Sequence, residues 1–322
     1  MGDSNTQSLL GVSIAFFILS FITVGARCWV RLRLVRAFGW DDATMVAALA
    51  LNLAFTICCV IGYEYGLGRK LDYFDTRPQD FRHALLAWWL GQLFYVMACI
   101  VVKLSIIIAL LRIAYCRTHR WVLYTAMLVS AAVGIVFFFC SMFQCSPVSF
   151  FWGRSDPDGQ CLPAGGILAV AYIYSVGAAV TDLTIGIFPI FLLSNLFMDR
   201  RSKIAIIAIL SLGCAAGIAV IVRIPFIHHI KDAEFLHNTS SISILSNIET
   251  GLGITAGSLP VLRPLVAHVF NKTQSTSGRH QRMTATAQPS NKGSFGPLGP
   301  SSGGSGYSIV DDEYHAALAD RK

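Results

Sequence analysis

Residues 31–51 read RLRLVRAFGWDDATMVAALAL: three arginines, two adjacent aspartates, then an apolar run that continues past Val60. Such a run, bounded by charge, has the dimensions of a membrane helix, because a hydrocarbon core of about 30 Å takes about 20 apolar residues to cross. Working outward from it, the same alternation recurs along the chain. Continuous apolar segments lie at 8–27, 42–65, 84–112, 121–144, 164–195, 203–226 and 241–267, separated by short polar loops. Of the 322 residues 54% are hydrophobic and only 13% charged, half the charge of a typical soluble domain, which carries about 25%. The mean hydropathy is +0.59. A water-soluble core is excluded, and so is a β-barrel, whose strands alternate apolar and polar residues.

The expected architecture is therefore all-α: a seven-transmembrane helix bundle over residues 8–267. A short extracellular N-terminus at 1–7 precedes it, with no positive region to mark a cleaved leader. The segment 271–322 is rich in Ser, Gly and Pro and too poor in large apolar residues to bury a core, so it is expected to be a disordered cytoplasmic tail.

Orientation follows from the basic residues, which short loops keep on the cytoplasmic side. The loops after the first, third and fifth segments carry ten Lys and Arg; the opposite loops carry seven, with Arg223 counted among them. The tail adds seven more to the first group. This puts the N-terminus outside and the C-terminus in the cytoplasm, in a multi-pass protein assigned to the plasma membrane rather than an endomembrane. Cys145 and Cys161 then flank an outer loop, where a disulfide persists, and the sequon Asn238-Thr239-Ser240 is a glycosylation acceptor on the same side. The basic pI of about 9.0 is accounted for by inner loops meeting anionic lipid, with no nucleic-acid partner required.

In this frame Arg27 and Arg31 sit at the cytoplasmic end of the first helix. Asp41 and Asp42 open the second helix, where carboxylates accept free backbone N–H groups and oppose the helix dipole. An ion pair between the two sets would anchor the helices to one another.

The order ARCWVR, GWDD, YGLGR, QLFY, KLSIIIALLRI, CSPVSFFW, TDLTIGIFP and ETGLGITAGSLPVLRPL resembles the fungal rhodopsin-like domain family over about residues 20–266. That family includes receptor-like proteins implicated in surface sensing by plant-pathogenic fungi, and membrane proteins of secondary-metabolite gene clusters such as the satratoxin cluster. The resemblance implies a seven-helix, receptor-like protein, with an association to secondary metabolism. Lys70 departs from the family, many of whose members carry a histidine there. The third helix ends LLRIAY and the seventh carries no lysine for a retinal Schiff base, so no covalent retinal is expected, and no other cofactor.

Ionisable residues inside apolar helices are costly and usually functional. Lys103 and Asp182 each lie 18 or 19 residues from the outer end of an inward-running segment and so reach similar depth, which suggests a pair. Glu249, near the midplane of the last segment, has no partner legible in the sequence and calls for an interhelical hydrogen bond, a proton or a polar ligand. Glu64 stands at the outer end of the second segment. Trp88 and Trp89 read as interface anchors or, together with Gln92 and Tyr95, as the lining of an outward pocket for an apolar small molecule. The glycine pairs Gly62/Gly66, Gly213/Gly217 and Gly253/Gly257 have the GxxxG spacing of close helix packing. No metal-ligand spacing occurs, and hydrolase and nucleotide motifs are missing. The leading function is a receptor that takes an apolar molecule from outside and passes a signal to a cytoplasmic partner. The alternative is a membrane-embedded cyclase or isomerase acting on a lipophilic intermediate, with Asp182, Glu249 and Glu64 as its acids.

Overall fold

A computed structural model describes residues 2–114, 116–153, 158–193, 200–228 and 235–282. Eight α-helices are formed among them: α1 Gly2–Trp29, α2 Trp40–Glu64, α3 Pro78–Ile113, α4 Arg117–Met142, α5 Phe150–Gly153, α6 Ala164–Leu193, α7 Arg200–Ile227 and α8 Phe235–Arg282. Five of them are long and apolar enough to cross a membrane: α1, α2, α3, α4 and α6. In α7 the apolar portion is the shorter stretch Ser211–Ile227. The chain divides into two units, Met1–Asn271 and Lys272–Lys322. Helix α8 continues beyond Asn271, where the sequence reading begins the tail, to Arg282; the rest of the tail lies outside the described residues.

The helix boundaries have local causes. Gly39 caps α2 in an extended conformation, and Asp42 Oδ2 accepts its N–H at 3.1 Å, satisfying a donor that the helix start leaves open. Pro78 begins α3, where its missing N–H costs nothing. The α2–α3 turn needs Gly66 and Gly68 at φ 91° and 96°, a region open to glycine without strain. Gly66 is therefore a turn residue past the end of α2, and the Gly62/Gly66 pair is not a packing motif.

The burial pattern is that of a protein dissolved in lipid. Large apolar side chains face outward, with Leu128 70% and Ile173 63% exposed, while Arg27, Asp42, Lys103, Arg223 and Glu249 are buried. Polar interiors with apolar exteriors invert the soluble pattern and match the membrane one. Helix α3 packs against α2, α4 and α6, and α6 packs against α7. Helix α8 buries Asn247, Thr250, Thr255 and Ser258 by turning each side chain onto the carbonyl four residues back, at 2.8–2.9 Å, which satisfies them within the helix.

The α6–α7 contact depends on Gly186 and Gly213. A Cβ on Gly213 would stand 3.0 Å from Gly186 Cα, and backbone cannot yield as a flexible side chain does. Gly213→Val is expected to push the helices apart at a cost of about 1–3 kcal/mol, read as a lower melting temperature of the protein in lipid nanodiscs. An unchanged melting temperature would show that α6 and α7 do not rely on this approach.

Candidate ligand cavity and buried ion pairs

A cavity of about 570 Å³ lies at the disulfide-bearing end, between α2, α3, α4, α6, α7 and α8. This volume is within the range of about 300–1,000 Å³ that small-molecule sites occupy. Its wall is aromatic, with Phe55, Phe81, Trp88, Phe137, Phe150 and Phe151 among the lining residues. The hairpin of Cys145–Ser146 and Gln160–Cys161, β1 and β2, bounds it together with α5. The two cysteines are paired in register and joined as a disulfide. With a separation of 16 residues, loop-closure entropy makes that bridge worth about 3 kcal/mol. The paired Ser variant of Cys145 and Cys161 is expected to melt lower by a corresponding amount, and equal melting of oxidised and reduced protein would contradict this.

The polar end of the cavity is built by three helices. Arg223, from α7, is an ion-pair partner of Glu249 on α8 at 3.1 Å. Tyr95, from α3, donates its hydroxyl proton to Glu249 Oε2 at 2.6 Å and accepts from Arg223 Nη1. Arg223 also donates to Ser246 Oγ at 3.1 Å, and its guanidinium carbon stands 5.3 Å and 5.7 Å from the ring centroids of Tyr95 and Tyr174. Tyr174 stacks on Phe137 at 4.5 Å. This corrects one point of the sequence reading and completes another. Arg223 belongs to no outer loop but to a buried stretch of α7, and it supplies the partner for Glu249. The signal for it was a lone cation in AVIVRIPFI, four residues before the end of α7.

Lys103 and Asp182 meet, with Nζ 3.2 Å from Oδ1. Lys103 Nζ donates further to Thr181 Oγ1 at 3.2 Å and to the Ala178 carbonyl at 3.3 Å, so α3 is tied to α6. Lys103, Asp182 and Glu249 also share a small second cavity of about 90 Å³ with Cys99 and Thr250. Cys99 Sγ stands 3.7 Å from Glu249 Oε1.

Arg27, Arg31, Asp41 and Asp42 form one cluster. Arg27 Nε donates to Asp42 Oδ1, Nη2 to Asp41 Oδ2 and Nη1 to the Gly257 carbonyl, each at 2.7 Å. Arg31 reaches both carboxylates, at 3.1 and 3.2 Å. Ser105 Oγ donates to the Asp41 carbonyl at 2.6 Å. The cluster therefore joins α1, α2, α3 and α8, two helices more than the sequence suggests.

The remaining sequence candidates stand apart. Glu64 is exposed at the end of α2 and lines neither cavity. Trp89 is no interface anchor: it is buried, with its indole N–H on the Ser141 carbonyl at 3.0 Å. Trp88, Gln92 and Tyr95 do line the large cavity. Asn238 falls in the first turn of α8.

The fungal rhodopsin domain family matches residues 26–268. The chain is 20% identical to Receptor GIN3 of Arthrobotrys oligospora over 278 residues, which is 84% of this chain and 65% of that protein. The chain thus spans about 65% of the length of the curated relative it matches. No solved structure matches it. Family and apolar helices together identify a multi-pass membrane protein.

Proposed function

This chain belongs to the fungal rhodopsin domain family, and we propose that it acts as a seven-helix receptor whose ligand is a small lipophilic molecule. The observation that carries this reading is the aromatic cavity of about 570 Å³ with a charged, hydrogen-bonded end. In the proposed topology the N-terminus, the disulfide hairpin and Asn238 face outward, with Asn238 glycosylated and the tail in the cytoplasm. The basic inner loops are the surface for a cytoplasmic signalling partner, in the plasma membrane. Support comes from the excess of Lys and Arg in the inner loops and tail and from the Cys145–Cys161 bridge.

An enzymatic reading is less well supported. Asp182 and Glu249 would have to act on a substrate, yet each is paired with a cation, and the space they share is about 90 Å³, far below the volume of a lipophilic intermediate. They are better suited to coupling. Arg223–Glu249 and Lys103–Asp182 tie α3, α6, α7 and α8 together beneath the large cavity, so a ligand that moves Tyr95 or Arg223 disturbs the helix contacts below it. The association with secondary metabolism is part of this proposal and rests on family resemblance.

The reading is tested in a deletion strain complemented with the wild-type chain or with Ile242→Trp, which fills the cavity beside Ser243. Both should reach the membrane equally, and only the wild type should restore the response lost on deletion. Equal restoration by Ile242→Trp would overturn the receptor proposal. An endoglycosidase-resistant Asn238, or a C-terminal tag exposed outside intact cells, would overturn the topology.

A further inference from the structure

The large cavity contains a second polar feature besides the ion pair that neither the family nor the charge pattern accounts for. Gln92 lines the wall from α3; its Nε2 donates to Ser141 Oγ at 3.0 Å, which leaves Oε1 without a hydrogen-bond partner among the described residues. Gln144, just past the end of α4, lines the same wall. Its side chain is 95% buried by its residue exposure of 5%, and its Nε2 also lacks a partner among the described residues. Ser141 and Gln144 are three residues apart in the sequence, and both glutamines line the one cavity.

Buried polar atoms left unpaired cost about 1–3 kcal/mol each, and native proteins keep few of them. Three such atoms in the lining of one aromatic cavity, Gln92 Oε1, Gln144 Nε2 and the Tyr174 hydroxyl, are the pattern of a site completed by its ligand. Head-group charge is decided by the remaining lining. Among the described residues the cavity wall contains no Asp or Glu, so a cationic head would have no counter-charge. Its cation, Arg223, is already neutralised by Glu249, so an anionic head would have to displace a buried carboxylate. An uncharged hydroxyl can donate to Gln92 Oε1 and accept from Gln144 Nε2 at once.

Resting on the receptor reading, we propose that the cavity recognises an uncharged lipophilic alcohol, with its hydroxyl held between Gln92 and Gln144 and its apolar body against the aromatic wall.

The test uses the full chain in lipid nanodiscs and three probes with one tail: 1-dodecanol, dodecanoate and dodecylammonium. Binding is read by native mass spectrometry of the protein released from the disc. Dodecanol should be retained preferentially, and Gln92→Leu and Gln144→Leu should each weaken it about tenfold. Gln144→Leu should at the same time raise the melting temperature of the ligand-free protein, because it removes an orphaned donor; a glutamine with a purely structural role would lower it. Tighter binding of dodecanoate or dodecylammonium, or dodecanol binding indifferent to both variants, overturns the alcohol proposal and leaves the receptor reading standing. Retention of all three probes undiminished by Ile242→Trp reports lipid partitioning, and overturns the cavity as a ligand site together with the proposal.

Discussion

Arg27→Met is expected to lower the melting temperature of the nanodisc protein by about 10 °C or to abolish accumulation of folded chain. Arg27 is fully buried and holds Asp41, Asp42 and the Gly257 carbonyl, all at 2.7 Å. Removing one partner from a buried ion pair costs about 3–5 kcal/mol, because the opposite charge is left unpaired where water cannot reach it. That is a large share of a domain stability of about 5–15 kcal/mol, and for a chain of this size each kcal/mol moves the midpoint by about 2–4 °C. Arg31 touches both carboxylates and moderates the loss. Arg31→Met alone should therefore cost less than Arg27→Met, since among the described residues only Arg27 of the two bonds to α8, through the Gly257 carbonyl. Combining Arg27→Met with Asp42→Leu should recover part of the loss, because it removes a stranded carboxylate. If Arg27→Met melts like wild type, the cluster does not hold α1, α2 and α8 together.

Glu249→Leu is expected to have the second large effect, again about 3–5 kcal/mol. It strands the Arg223 guanidinium and removes the acceptor of the Tyr95 hydroxyl proton. A double-mutant cycle separates these consequences. Arg223→Met together with Glu249→Leu removes both charges and should restore much of the stability that either single change loses. The double variant should still fail in the complemented strain, because the proposed coupling runs through the pair. Glu249→Gln, which keeps an acceptor for Tyr95 without the charge, should fall between wild type and Glu249→Leu. Strict additivity of the two single changes would show that Arg223 and Glu249 do not depend on each other. Full function of the double variant would remove the pair from the signalling proposal while leaving its contribution to stability intact.

The three sets of buried ion pairs differ in how visible they are before folding. Arg27 and Arg31 lie within 15 residues of Asp41 and Asp42 across a single short turn, so any helix hairpin there brings them near each other. Lys103 and Asp182 are distant in sequence, but equal depth in two helices running the same way makes their meeting geometrically available. In the sequence Arg223 reads as a loop residue because Pro225 and the polar stretch IHHIKD follow it. Its placement depends on how far α7 extends, and Glu249 consequently looked unpartnered. Gln144 carried no signal at all: an unpaired amide becomes meaningful only when its neighbours are known to leave it unpaired.

The solvent and the secondary structure are already written in the sequence. Apolar runs of helix-spanning length, broken by charge, admit only helices in lipid, because every backbone polar group must find its partner within the segment. The order of motifs likewise carries the family, and side-chain depth carries the Lys103–Asp182 pairing as an expectation. Rotation about each helix axis is fixed by packing alone. A residue's depth follows from counting at about 1.5 Å per residue, but its facing depends on which neighbours pack against it, and outside a soluble protein there is no strong amphipathic stripe to reveal it. For that reason the Arg223–Tyr95–Glu249 end of the cavity and the Gln92–Gln144 wall, contributed by three different helices and one loop, came into view only once the helices were packed.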